Sequence, residues 1–294
     1  MAQAAGSPKP LAHALQPRAV SGWWSVITFG LLTFAISVLL SVIVWPFVGL
    51  PWWKVFRRCV SIGAAASVLI CVKVLERRTV RSYGFADAGK GMRQLLFGVV
   101  LGASTLAAMF GIGLWSGAYH VSIDESPLKF WGTIIGLMPA MALVSVLEEL
   151  VFRGVILQRL IVYSRPVAMF VSSALYAIVH LKTLAPTWSP WGPWFELFGL
   201  FLFGMILCVS FFLTGQLYLA VGLHASLAYG ARVNKLLVEF PRPALNWLIG
   251  TNRLVNGVMN WMALLAMCGV MVWWVRSSQQ QPKARAFGIP RRVE

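Results

Sequence analysis

The sequence predicts an all-α membrane protein with about eight transmembrane helices and a polar site at mid-membrane depth. Three observations support this fold class. Of the 294 residues, 59% are hydrophobic and only 12% are charged, and soluble domains carry about twice that charged fraction. The apolar residues form continuous runs of the length that a helix needs to cross a bilayer, without the alternation of transmembrane β-strands. Two adjacent glutamates, Glu148 and Glu149, follow an uncharged run over 130–147.

The first half of the chain contains four predicted spans, at 23–48, 58–75, 95–117 and 131–157. In the third span, Gly98 and Gly102 are four residues apart, a small-xxx-small spacing that allows two helices to pack closely. The fourth span contains Pro139, which predicts a kink, because proline removes one helical hydrogen bond. The two glutamates lie near the end of this span.

The second half of the chain adds four more predicted spans. The fifth covers 166–183 and contains His180. No charged residue occurs over 197–231, a run too long for one span. Thr214-Gly215-Gln216 predicts a tight turn that divides this run into a sixth and a seventh helix. The eighth span covers 254–275.

These spans predict three parts of the chain: a polar tail over 1–22, a transmembrane domain over 23–276, and a basic tail over 277–294. The formal net charge is +16. Because Lys and Arg cluster beside apolar spans, we attribute this charge to membrane topology and anionic lipids rather than to nucleic acid. The basic loops at 77–93 and 158–165 favour both termini in the cytoplasm. We expect an integral, multi-pass protein of the plasma (inner) membrane.

The chemistry of the polar site follows from helical spacing. Residues four apart share one face of a helix, so Glu149 and Arg153 are expected to pair, while Glu148 points elsewhere. Of the four histidines, only His180 and His224 lie within predicted spans. Intramembrane ionisable groups are rare and are usually paired or functional. We therefore expect Glu148, His180 and His224 to share one site.

These residue types allow a hydrolytic reaction. Glu148 could take a proton from water, His180 could orient that water, and His224 could donate a hydrogen bond to an oxyanion. The same three residues could instead bind zinc. We favour a site without metal or cofactor, since no HExxH spacing and no additional nearby carboxylate are present. Taken alone, Glu149–Arg153 is a structural pair, and Tyr176 on the face of His180 is a packing residue.

Three motifs resemble those of the CPBP family, which groups type II CAAX prenyl endopeptidases with bacteriocin-processing and immunity-type (Abi) membrane proteins. Glu148-Glu149-Leu150-Val151-Phe152-Arg153 resembles the EExxxR motif. Tyr176-Ala-Ile-Val-His180 resembles FxxxH, with Tyr in the Phe position. His224-Ala-Ser-Leu-Ala228 matches half of HxxxN, with Ala228 where the family usually has Asn. The resemblance covers roughly residues 130–232.

The resemblance implies a metal-free intramembrane glutamic endopeptidase whose site opens toward the cytosol. By position, Glu148 would activate water, His180 would assist it, and His224 would contribute to the oxyanion site, with Glu149 and Arg153 supporting them. Tyr176 could supply the hydrogen bond that Ala228 lacks. The expected substrate is a membrane-anchored or lipidated peptide, cleaved near its C-terminus.

Two other functions stay open. A non-catalytic membrane binding or immunity factor would retain the scaffold and the polar site, and Ala228 favours this alternative. A transporter or proton relay could use the same buried glutamates and histidines, although the sequence has no repeat symmetry.

Overall fold

A computed structural model describes residues 22–123, 125–181, 191–251 and 254–286, with side chains described up to residue 278. The predicted N-terminal tail lies outside the described residues up to residue 21, as does the predicted C-terminal tail from residue 287. Most of the described residues are helical, which confirms the all-α fold class.

Ten α-helices occur within the described residues. They are α1 (Trp23–Val44), α2 (Trp52–Leu69), α3 (Ala88–Trp115), α4 (Pro127–Glu149), α5 (Gln158–Leu160), α6 (Arg165–His180), α7 (Gly192–Thr214), α8 (Tyr218–Leu237), α9 (Asn246–Ile249) and α10 (Val258–Ala286). Two π-helical segments, Ile70–Leu75 and Leu150–Leu157, continue α2 and α4. Short 3-10 turns cover Trp45–Phe47, Val80–Tyr83 and Pro243–Leu245.

Six helical segments in the described chain are long and apolar enough to cross a membrane. They are Trp23–Phe47, Trp52–Leu75, Ala88–Trp115, Pro127–Leu160, Gly192–Thr214 and Val258–Ser278. The fifth and seventh predicted spans also form helices, α6 and α8, but neither is among the six. Helix α6 has only 16 residues, and α8 mixes apolar residues with small and polar ones. The protein is therefore an integral, multi-pass membrane protein.

Helix boundaries differ from the predicted spans mainly where polar residues extend a helix. Helix α3 begins at Ala88, where the Asp87 side chain accepts a hydrogen bond from the Lys90 amide at the helix N-terminus. Helix α10 continues to Ala286, well into the predicted tail. The predicted turn between α7 and α8 is confirmed, since Gly215 has φ 67° and Thr214 Oγ1 accepts a hydrogen bond from the Gln216 amide.

The chain divides into two compact units. Among the described residues, the first comprises 22–80 together with Val155–Ala168. Within it, α1 packs on α2, and a side chain at Gly63 would meet Ser37 of α1. Arg159 Nη2 donates to Glu76 Oε1 at 2.5 Å, and both side chains are almost fully buried.

The second unit comprises the described residues of Arg81–Gly154 and those between Met169 and Ala286. Its centre is the close packing of α3 on α8. A Cβ atom at Gly98 would lie 2.7 Å from the carbonyl oxygen of Leu219, and a Cβ at Gly102 would meet Ser226. The predicted role of this glycine pair in close helix packing is confirmed. Helix α4 also packs on α8, and α7 packs on α8 and on α10.

A small cap covers one end of α3 and α8 in the second unit. Strand β1 (His120–Val121) pairs antiparallel with β2 (Val238–Glu239), with His120 opposite Glu239. Tyr119 is buried beneath this pairing, packs edge-on against Phe240, and donates a hydrogen bond to the Ile249 carbonyl. These two-residue strands were not expected from the apolar pattern.

Candidate functional site

The site begins where α4 changes its helical winding. Glu148 and Glu149 are the last residues of α4, and the following segment Leu150–Leu157 is a π-helix that contains Arg153. A π-helix has a wider turn than an α-helix, and such segments occur frequently at functional sites. Despite the changed winding, the expected pair forms, with Arg153 Nη1 2.9 Å from Glu149 Oε1.

Glu149 and Arg153 are at the centre of a fully buried polar network. Both side chains have no exposed surface. The second guanidinium nitrogen, Arg153 Nη2, donates to the Gly204 carbonyl of α7 at 2.9 Å. The guanidinium carbon lies 4.8 Å from the centre of the Tyr176 ring, a cation–π contact. The charge of Arg153 is therefore balanced by Glu149 of α4, and its guanidinium also contacts α6 and α7.

His224 joins this network from α8. Its Nδ1 lies 2.7 Å from Glu149 Oε1. An ionised carboxylate only accepts hydrogen bonds, and Glu149 is ionised by its pairing with Arg153. The Nδ1–H group of His224 is therefore the donor of this hydrogen bond, and Glu149 Oε1 is the acceptor. This partner was missed in the sequence analysis, which assigned Glu149 to Arg153 alone.

Glu148 is on the accessible side of the same cluster. Its Oε2 lies 2.9 Å from Nε2 of His180 on α6. About a quarter of each side chain is exposed, 24% for Glu148 and 28% for His180. Nδ1 of His180 donates to the Tyr176 carbonyl at 2.8 Å, which fixes a proton on that nitrogen. The 2.9 Å contact therefore holds one proton shared between Glu148 and the other nitrogen of His180.

The two halves of the cluster meet at Nε2 of His224. This atom lies 3.4 Å from Glu148 Oε2 and 3.4 Å from the Tyr176 hydroxyl. All six residues singled out from the sequence are thus brought together. The ring of Tyr176 contacts Arg153, its carbonyl accepts from His180, and its hydroxyl lies near His224. Tyr176 therefore makes polar contacts in addition to packing in the core.

Aromatic rings enclose the polar groups. Phe152 packs edge-on against Tyr176, with ring centres 5.2 Å apart, and Phe203 packs edge-on against His224 at 5.7 Å. Hydrogen bonds and charges interact more strongly in such a low-dielectric setting than in water. Phe203 and its neighbour Gly204 were missed, since the uncharged apolar stretch that follows Glu196 on α7 gives no sign of a polar backbone contact.

Two features bear on the alternatives. Ala228 lies one turn after His224 on α8 and offers no polar side-chain atom near it. Among the described residues, no group of three or more His, Cys, Asp or Glu side chains is arranged to hold a metal ion. The histidine nitrogens of the cluster contact carboxylate oxygens directly.

The comparison with known families agrees with the motif resemblance. The family model described as "Type II CAAX prenyl endopeptidase Rce1-like" matches residues 130–229. This segment includes most of α4, the π-helix, α6, α7 and more than half of α8, and therefore every residue of the cluster. No curated protein matches the chain. Residues 130–229 are thus similar to the domain of the Rce1-like type II CAAX prenyl endopeptidase family, within a multi-pass membrane protein.

Proposed function

We propose that this protein is an intramembrane glutamic endopeptidase that cleaves a membrane-anchored or lipidated peptide near its C-terminus. The observation that carries the proposal is the contrast between two adjacent carboxylates. Glu149 is fully buried and neutralised by Arg153, whereas Glu148 is partly exposed and shares a proton with His180. One carboxylate supports the site, and the other is available to a water molecule.

Glu148 is the proposed general base. With the shared proton on His180 Nε2, Glu148 is a carboxylate whose free lone pairs can accept a proton from water. As that proton transfers, the water oxygen attacks the scissile carbonyl carbon, and negative charge develops on the carbonyl oxygen. Glu148 then passes the proton to the amide nitrogen as the C–N bond breaks, which regenerates the carboxylate.

His224 is the proposed donor to the developing oxyanion. Its Nδ1 is committed to Glu149, so Nε2 can donate only when the ring is protonated. The carboxylate of Glu149, 2.7 Å away, compensates the charge of that imidazolium. The hydroxyl of Tyr176, 3.4 Å from the same nitrogen, is the second proposed donor, in place of an amide at Ala228. Removing one such donor typically lowers the rate by about 10² to 10³.

The proposal places this chemistry in a transmembrane domain over 23–276, with a family core over about 130–232 and polar tails at both ends. Both termini are proposed to be cytoplasmic and the membrane to be the plasma (inner) membrane. The reaction described above uses only side chains of the protein and water. The partners are therefore the bilayer and a peptide or protein substrate anchored in it.

The test compares wild type with Glu148→Gln in a strain that lacks the chromosomal copy. Termini of membrane-associated proteins are identified by mass spectrometry, with Glu125→Gln as a matched control at an exposed glutamate outside the cluster. We expect new termini with wild type and Glu125→Gln, and none with Glu148→Gln at equal protein level. If Glu148→Gln produces the same termini as wild type, the proposed mechanism is wrong.

A second function is favoured by Ala228. A non-catalytic membrane binding or immunity factor needs the hydrogen-bonded cluster but not a second oxyanion donor. In that case Glu148→Gln, which preserves hydrogen bonding but cannot act as a base, would complement a deletion strain as well as the wild-type protein does.

A further inference from the structure

A long cavity separate from the glutamate cluster lies between α3 and α8 of the second unit. Its volume is about 540 Å³, and Met138 of α4 contributes to its wall. The cavity follows α3 from Val99 to Phe110 and α8 from Ala225 to Leu237. At a helical rise of 1.5 Å per residue it is about 16–18 Å long. None of Glu148, His180 and His224 lines it.

The shape and lining of the cavity suit one hydrocarbon chain. A volume of about 540 Å³ spread over that length makes the cavity elongated, as an extended chain requires. Nearly all lining side chains are apolar. Val99 and Met138 at its border are 38% and 53% exposed, and α3 and α4 are both membrane-spanning segments. The cavity is therefore accessible to lipid chains from the side.

One buried polar group in the wall needs a hydrogen-bond acceptor. Asn234 lines the cavity and is only 7% exposed, and its Nδ2 has no hydrogen-bond partner among the described residues. Leaving a buried amide N–H without a partner is unfavourable. An ester carbonyl at the head of an acyl chain is the acceptor that such a position would select.

A cation lies at the edge of the same groove. Arg232 is exposed and forms no ion pair within the described part of the chain. Ala225, which lines the cavity, is seven residues before Arg232 on α8. At 100° per residue, the two residues differ by only about 20° in direction around the helix axis. The long side chain of Arg232 can therefore reach a phosphate group above the groove.

We propose that this groove binds one anionic phospholipid, with one acyl chain in the cavity. Nδ2 of Asn234 donates to the ester carbonyl, and the guanidinium of Arg232 pairs with the phosphate. The proposal is independent of proteolysis, because it uses none of the cluster residues.

The test is native mass spectrometry of the detergent-purified protein with added palmitoyl-oleoyl phosphatidylglycerol. Ala107→Trp fills the groove, and Ala108→Trp is the matched control, an exposed alanine on the next position of α3 that does not line it. We expect one retained phosphatidylglycerol on wild type and Ala108→Trp, and at least tenfold less on Ala107→Trp. Asn234→Leu should lower retention about fivefold, the effect of one lost neutral hydrogen bond.

Palmitoyl-oleoyl phosphatidylcholine has the same acyl chains and a zwitterionic headgroup, so it tests whether binding requires a net negative charge on the lipid. Wild type should retain it several-fold less than phosphatidylglycerol, and Arg232→Gln should remove that preference. Thermal unfolding of each variant checks that it is folded. Equal retention by folded Ala107→Trp and wild type would overturn the site. Retention of phosphatidylcholine equal to that of phosphatidylglycerol by wild type would overturn the anionic specificity.

Discussion

Replacing each of two neighbouring glutamates with glutamine should have opposite effects on stability and activity. Glu149 is fully buried, and its Oε1 accepts hydrogen bonds from Arg153 at 2.9 Å and from His224 at 2.7 Å. Glu148 is partly exposed and has its short contact with His180. The substitution, the volume and the backbone location are nearly the same in the two variants, so each serves as the control for the other.

The expected magnitudes follow from burial. Removing one partner of a buried ion pair costs about 3–5 kcal/mol, because the other charge is left without compensation. The side-chain amide introduced by Glu149→Gln would still offer an acceptor oxygen to Arg153. This variant should therefore lower the free energy of unfolding by about 3 kcal/mol, the low end of that range. Glu148→Gln breaks no fully buried ion pair and should change the free energy of unfolding by about 1 kcal/mol or less. Only Glu148→Gln should lose activity while remaining stable.

The assay is unfolding in mixed micelles of increasing SDS fraction, followed by tryptophan fluorescence. A double variant in which Glu149 and Arg153 both become leucine removes both charges and should be more stable than Glu149→Gln alone. Equal unfolding midpoints for Glu149→Gln and Glu148→Gln would refute the assignment of Glu149 as the buried support of the cluster.

Three further outcomes are expected. Gly222→Ala should destabilise the protein in the same unfolding assay, since the added Cβ would collide with the Leu95 carbonyl oxygen of α3. Gly111 has open space around it, so the control Gly111→Ala should be neutral or stabilising. Burial raises the pKa of Tyr119 to about 12 from 10.0. The corresponding stability is present below pH 10 and is lost between pH 10 and 12, by about 3 kcal/mol, and Tyr119→Phe should abolish this loss in unfolding curves measured across that range. Ala228→Asn adds a donor one turn from His224 and should raise kcat toward a peptide reporter by about tenfold or more; an unchanged kcat would exclude position 228 from the oxyanion site.

Several parts of the cluster could be predicted because their spacing is local. Glu149 and Arg153 are four residues apart on one segment, so their pairing follows from the helical repeat. His180 and His224 stand out because histidine within an apolar span is rare. The all-α class and the turn at Gly215 were likewise accessible from apolar runs and a single glycine.

Other parts depend on contacts between segments that no local pattern encodes. The π-helical winding at Leu150–Leu157 has no signature in its apolar sequence. The hydrogen bond from His224 to Glu149 joins residues 75 positions apart. The acceptor at Gly204 is a backbone carbonyl, which every residue has, so the residue type does not indicate this contact. The strand pairing of His120 with Glu239 depends on how two loops meet, which the apolar pattern does not specify.

The positions of the charged partners along the chain have a consequence for membrane insertion. Glu149 and Arg153 belong to one continuous helical segment, so they can neutralise each other as soon as that segment enters the lipid, before α6, α7 or α8 has arrived. Glu148 has its partners on α6 and α8, which follow it in the chain. It is therefore expected to enter the bilayer as an uncharged acid, and to become a carboxylate only once His180 has been inserted and can take its proton. The site thus acquires its reactive charge only after α6 has followed α4 into the membrane.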